Sequence, residues 1–241
     1  MVVVLFAFQN VSAAAVWSEQ ASVRASDSAV YDGFGNALSI SGNYIVVGAK
    51  AKASSQGAAY IFHLAESGWS QQAKITASDG ATSDYFGHSV SISGDYAIVG
   101  AYGNDDAGSE SGCAYVFTRS GTSWVQEAKL EASDASVDGV FGYSVAISGN
   151  YALIGDDAGG SVAGSAYIFV RSGSSWAQQA KLEPPNGGVW DNFGNVVAIS
   201  GDTALIGAPN RDDGASDTGA AYVFVRSGTT WSLQQKLSVL D

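Results

Sequence analysis

The chain has 241 residues, 46% of them apolar and only 14% charged, with 30 Gly and 3 Pro. That composition excludes a disordered chain and describes a turn-rich protein able to bury a sizeable core. Its 11 Lys and Arg against 23 Asp and Glu leave a net charge of −12, which disfavours nucleic acid and anionic membrane surfaces and favours a cation or a basic partner.

Residues 1–15 stand outside the pattern of the rest. An apolar run, Val2–Phe8, is followed by the small residues Ser12–Ala15, the arrangement found ahead of a signal cleavage site, although no Lys or Arg precedes Arg24. The run is too short to span a bilayer. It reads as the leader of a secreted or surface-displayed protein without membrane insertion, with a truncated start or an extra strand as the alternatives.

From Trp17 onward one pattern repeats. Trp recurs at 17, 69, 124, 176 and 231, and the Phe of a Phe-Gly pair recurs at 34, 86, 141 and 193. Four units result, 34–74, 86–130, 141–182 and 193–237, preceded by a lone strand at Trp17–Val23. Each unit opens with a short alternating strand such as Ser144–Ser148, turns at a Gly-Asn or Gly-Asp pair suited to a two-residue hairpin, and returns through a strand such as Tyr151–Gly155. A loop of variable length leads to a third strand of Ala-Tyr-Val-Phe type, and a tight turn leads to a fourth that carries Trp, Gln and Lys.

Four antiparallel strands repeated about every fifty residues predict an all-β chain, a β-propeller of four-stranded antiparallel blades. The first strand should be innermost and the Trp strand outermost, with Phe, Tyr and Trp filling the space between blades. Four full blades plus one extra N-terminal strand leave two arrangements open, a small closed ring or part of a larger propeller.

Strand direction sorts the chemistry. The tight turns share one end of every blade, while the inter-blade loops and the second-to-third-strand loops share the other, which collects fifteen of the 23 acids. This loop face is expected to carry a focused negative potential. Two of its loops place several oxygen donors beside a Gly: Asp105 and Asp106 in unit two, and Asp212, Asp213 and Asp217 in unit four. They are the candidate ligands of a weak cation site for Ca2+, set against the plainer reading that Asp and Gly simply build turns.

Asp27, Asp79 and Asp134, each seven residues before Phe, are expected to order their loops by bonding to backbone. Tyr31, Tyr85, Val140 and Trp190 directly or nearly precede Phe-Gly and are the candidate ligand contacts. Cys113 occupies a slot held by Ala58, Ser165 and Ala220 in the other units and reads as a small packed residue, while His63 and His88 read as ordinary strand or surface positions. No nucleophile elbow, phosphate-binding loop or His-rich metal motif is present, so no catalytic residue is assigned.

Phe-Gly, a hairpin, Gly207-Ala208-Pro209 and then Gly219–Phe224 together resemble the FG-GAP repeat, the blade unit of integrin α-chain propellers and of many secreted microbial and algal proteins. The resemblance covers residues 17–237, although only the last unit has the full Gly-Ala-Pro. In the integrin-like form a calcium loop rich in Asp and Asn separates the two parts of the repeat. Here a tight Ser-Gly-Asp/Asn turn stands in that place, so the family's calcium ligands have no counterparts. The resemblance implies a non-catalytic extracellular or cell-surface binding or adhesion module with a protein or glycan partner. A carbohydrate-binding, lectin-like propeller is the alternative, and a hydrolase or lyase with its site on the loop face is a third.

Overall fold

The computed structural model of the chain describes residues 2–4, 19, 21–157, 163–212 and 217–238. Two short strands, β1 (Val2–Val4) and β2 (Ala21–Val23), pair near the N-terminus. Blade 1 comprises β3 (Phe34–Ser41), β4 (Tyr44–Ala49), β5 (Ala58–Ala65) and β6 (Gly68–Ile75), and blade 2 comprises β7 (Ser89–Ser93), β8 (Tyr96–Ala101), β9 (Cys113–Ser120) and β10 (Ser123–Leu130). Blade 3 follows with β11 (Ser144–Ser148), β12 (Tyr151–Asp156), β13 (Ser165–Ser172) and β14 (Ser175–Leu182), and blade 4 with β15 (Val196–Ser200), β16 (Thr203–Ala208), β17 (Ala220–Ser227) and β18 (Thr230–Ser238).

Each blade is an antiparallel meander whose strands pair in chain order, as the alternating pattern requires. The first strands β3, β7, β11 and β15 pack side by side, and the Trp strands lie on the outside. Residues 1–15 are described only at Val2–Val4, and Trp17 lies outside the described residues. No helix among the described residues is long and apolar enough to cross a membrane.

The blades are joined by a seam whose parts recur. Deep inside it, Phe86, Phe141 and Phe193 are fully buried and meet the Tyr and Phe of their own third strands at interplanar angles of 58° to 79° and centroid distances of 5.2 to 6.4 Å. Cys113 lies in the same core, and burial pushes its thiol up to about 12, in keeping with a packed residue. The two glycines of the repeat exist because backbones touch there: a Cβ on Gly48, Gly100 or Gly155 would sit inside the carbonyl oxygen of Gly87, Gly142 or Gly194 in the next blade.

Polar clamps lie at both ends of the seam. On the tight-turn face Arg119, Arg171 and Arg226 stack 4.5, 4.2 and 4.6 Å over Tyr44, Tyr96 and Tyr151 of the preceding blade. Farther out, each fourth strand has a β-bulge that turns Gln72, Glu127 or Gln179 toward the following blade, where it accepts a hydrogen bond from the indole of Trp124, Trp176 or Trp231 at 2.9–3.0 Å.

Paired parts of a seam also change together. Gln71, Gln126 and Gln178 accept from the backbone N–H of Ser26, Ser78 and Ser133 in the preceding loop. In the last seam the donor position is Pro185, which has no N–H, and the acceptor position is Leu233.

The fourth blade does not close onto the first. Leu38 and Ile40 of blade 1 are 58% and 42% exposed, whereas Val90 and Ile92 at the same positions of blade 2 are 8% and 5% exposed. Val196, Leu205 and Leu237 are likewise exposed on the far side of blade 4. Among the described residues the four blades therefore form an open arc and not a small closed ring. On the outer half of blade 1, β2 stands where a preceding blade would place its Trp strand, burying Val23 and Ala25 against Ile45, Val47, Tyr60 and Phe62.

Candidate functional site

The inter-blade loops bring Asp27, Asp32, Asp79, Asp84, Asp134, Asp138 and Asp191 to the loop face, and most are tied down. Asp27 accepts from Tyr60 Oη at 2.7 Å and from Lys74 Nζ at 2.7 Å. Asp79 accepts from Tyr115 Oη at 2.8 Å and Lys129 Nζ at 3.0 Å, and Asp134 accepts from Lys181 Nζ at 2.8 Å. Their main partners are the Tyr of the third strand and the Lys of the fourth, with a backbone bond as a lesser contribution at Asp79 and Asp134. The Lys74 and Tyr60 bonds hold Asp27 down at about 2. At Asp79 and Asp134 burial opposes ionisation, but the same kinds of bond still hold the carboxyl below its ordinary value.

A second acid stands two residues before Phe in three of the loops. Asp32, Asp84 and Asp191 accept from the backbone N–H three residues earlier at 2.6, 2.8 and 2.7 Å. Lys52 pairs with Asp32 at 2.7 Å and Arg211 with Asp191 at 2.6 Å, whereas Asp84 has the neutral Asn104 at 3.3 Å. Burial therefore dominates at Asp84 and raises its pKa. Six of the fifteen loop acids, Asp27, Asp32, Asp79, Asp106, Asp134 and Asp191, thus lie against a Lys or Arg, which offsets part of the charge of the loop face. Lys52 reaches its partners from a single left-handed turn, Lys52–Ser55, in which Ala53, Ser54 and Ser55 all have positive φ.

The candidate cation ligands are engaged in turns of one type. Asp105 Oδ1 accepts from Glu110 N at 2.7 Å and Asp212 Oδ1 accepts from Asp217 N at 2.8 Å, the same bond in both long loops. Asp106 pairs with Lys129. Asp213 lies outside the described residues, and among the described residues no three His, Cys, Asp or Glu side chains gather as a metal would need.

The four candidate ligand contacts stand at two positions of the loop. Tyr31 and Trp190 stand three residues before Phe, and Tyr85 and Val140 one residue before it; all four have positive φ between 55° and 73°. Tyr31 and Trp190 point into solvent, 91% and 64% exposed, while the same position in the two middle loops holds Ser83 and Asp138.

Tyr85 turns inward to a cluster that the sequence reading missed. Its ring stacks on Tyr102 at 5.0 Å with only 2° between the planes. His88 lies 4.6 Å from Tyr102 and 4.7 Å from Tyr143, and Lys50 Nζ donates to His88 Nδ1 at 3.3 Å. His88 is thus no ordinary strand residue; burial, and then the Lys50 charge, depress its pKa to about 4. The available signal was positional. The residues following Phe-Gly and Gly-Ala at this seam, His88, Tyr143 and Tyr102, are aromatic where the flanking units carry Asn36, Asn195, Lys50 and Pro209. His63, by contrast, is an ordinary strand residue paired with Tyr44.

No curated protein matches the chain. Among solved structures, Sqt1 of Saccharomyces cerevisiae, a WD40-type propeller, is similar in fold, with a TM-score of 0.51 and 10% sequence identity. The match covers 86% of this chain and 49% of that one, so the arc spans about half the length of its structural neighbour. The FG-GAP repeat profile matches residues 17–62, 69–117, 124–169 and 176–224, and with the Phe-Gly and Gly-Ala backbones meeting at every internal seam, the chain belongs to the FG-GAP repeat family.

Proposed function

We propose that the chain is a non-catalytic extracellular or cell-surface binding module that recognises a protein or glycan through its loop face. One observation carries this reading: Tyr31 and Trp190 hold large rings in solvent on left-handed backbone, at one position of the first and last inter-blade loops. A left-handed non-Gly residue costs about 1–2 kcal/mol, and neither ring recovers that by burial. Exposed aromatic anchors on strained loops are a common feature of recognition surfaces. Secretion rests on the apolar run and small residues within 1–15.

The test presents the purified chain to a glycan array and a panel of extracellular-matrix proteins, alongside a Tyr31→Ser/Trp190→Ser variant. Binding by the parent that the double variant loses by about tenfold or more supports the reading. Silence of the parent on both panels defeats it, and equal binding of every ligand by the variant removes Tyr31 and Trp190 from the binding face. A carbohydrate-binding, lectin-like propeller with its site at a seam between blades is the second reading, favoured by the cluster of Tyr85, Tyr102 and Tyr143 around His88.

A further inference from the structure

Among the described residues, seven of the eleven Lys and Arg are in ion pairs with Asp. Lys52, Lys74, Lys129 and Lys181 each lie within 3.0 Å of an Asp carboxylate. Lys50 differs: among the described residues its ammonium has the neutral ring of His88 as its side-chain partner and no carboxylate. A Lys can only donate, so His88 Nδ1 accepts and Nε2 carries the ring proton. The nearby acid Asp157 is turned elsewhere and accepts from Asn195 and Asn192 at 3.2 and 3.5 Å. An unneutralised ammonium therefore stands beside stacked, half-buried tyrosine rings at the mouth of the inner strands.

We infer that Lys50, His88, Tyr102 and Tyr143 form a binding site for a short saccharide carrying a carboxylate, such as a uronic-acid oligomer. The Tyr rings offer apolar faces to the C–H face of a sugar ring, and their hydroxyls and His88 Nε2–H offer partners for sugar hydroxyls. Lys50 supplies the one charge that a neutral sugar would not need. The net charge of −12 sets the size limit, because long-range repulsion disfavours a heavily sulfated or polyuronic chain and leaves a short ligand with few charges. The inference rests on the reading of the loop face as the binding face, and it adds a ligand class and a second set of contacts.

Calorimetric titration with trigalacturonate and with its neutral, carboxyl-reduced analogue tests it, using the parent, Lys50→Gln, Tyr102→Ser and Tyr31→Ser/Trp190→Ser. The parent should bind the uronide about tenfold more tightly than the neutral sugar, the size of effect expected of one charge-assisted hydrogen bond. Lys50→Gln should erase that preference without shifting the thermal midpoint, because Lys50 makes no ion pair within the fold. Tyr102→Ser should weaken both ligands, with Tyr102→Phe as the control that keeps the ring and the fold. The Tyr31→Ser/Trp190→Ser variant should bind the uronide as the parent does. No uronide binding by the parent, or an unchanged preference in Lys50→Gln, overturns the inference. An array ligand that depends on Tyr31 and Trp190, found alongside no uronide binding, overturns the inference alone and leaves the general reading standing.

Discussion

His88 shows how far one side chain can depart from its place in a repeat. Asn36 and Asn195 occupy the same position in the first and last blades, yet at His88 the surrounding rings and Lys50 leave no room for a charged imidazole. Its pKa falls from an ordinary 6.5 to about 4, so between those values the unfolded chain binds more protons than the folded one, and stability drops as the pH is lowered through that window. A second loss follows at lower pH. Asp27, held at about 2 against an ordinary 3.8, contributes stability that is full above 3.8 and disappears as the pH falls toward 2, and Asp79 and Asp134 act in the same direction. Urea unfolding from pH 7 to pH 2.5 should therefore show two declines. His88→Asn, which copies Asn36, should flatten the upper one and leave the lower; a parent curve level between pH 6.5 and 4 would contradict the burial of His88. The periodicity marked position 88 as one that varies between units, but its neighbours come from Lys50, Tyr102 and Tyr143, residues brought together only by the packing of three blades.

Within a blade, the repeat's glycines separate the demands of the strand from those of the seam. Gly100 and Gly207 hold the same place at the end of a second strand, and their local pairing is the same. Gly100 abuts the Gly142 carbonyl of the next blade, so an added methyl must push two backbones apart. Gly207 has no following blade, and the nearest atom to an added Cβ is Val196 Cγ1 at 2.6 Å, the end of a side chain on an exposed strand. Gly100→Ala should therefore cost about 4 kcal/mol or more, and Gly207→Ala about 1 kcal/mol or less, by chemical denaturation. Equal costs would mean that the glycines serve the strand and not the seam. The blade itself was legible in the sequence, with strand limits close to those observed, because alternation and Gly-Asp turns are local signals. The bulge that aims Gln72, Glu127 and Gln179 at the next Trp was not, since a one-residue slip in pairing leaves the alternation almost intact.

The arc as a whole leaves two sheet faces uncovered, and the chain differs at both. The clamp position that carries Arg119, Arg171 and Arg226 holds Leu64 in blade 1, and the position that carries Tyr44, Tyr96 and Tyr151 holds Thr203 in blade 4. Both halves of the clamp are missing where no neighbouring blade stands to use them. A charge placed on the open face should accordingly cost little: Leu205, 40% exposed, should accept Glu with a loss of about 1 kcal/mol or less, whereas Leu153→Glu at the same position of blade 3, 0% exposed, should prevent folding. Circular dichroism melts of the two variants decide this, and a Leu205→Glu that unfolds would mean that blade 4 is covered. The sequence by itself determined the all-β class, the four units and the family, because fixed spacing and two-residue alternation depend only on neighbours along the chain. The tertiary structure alone decided that the ring stays open, that six of the fifteen loop acids pair with Lys or Arg, and that Lys50 and His88 meet three tyrosines. Those facts depend on distances between residues of different blades, such as Lys50 and His88, 38 positions apart, and such distances exist only once the blades have packed.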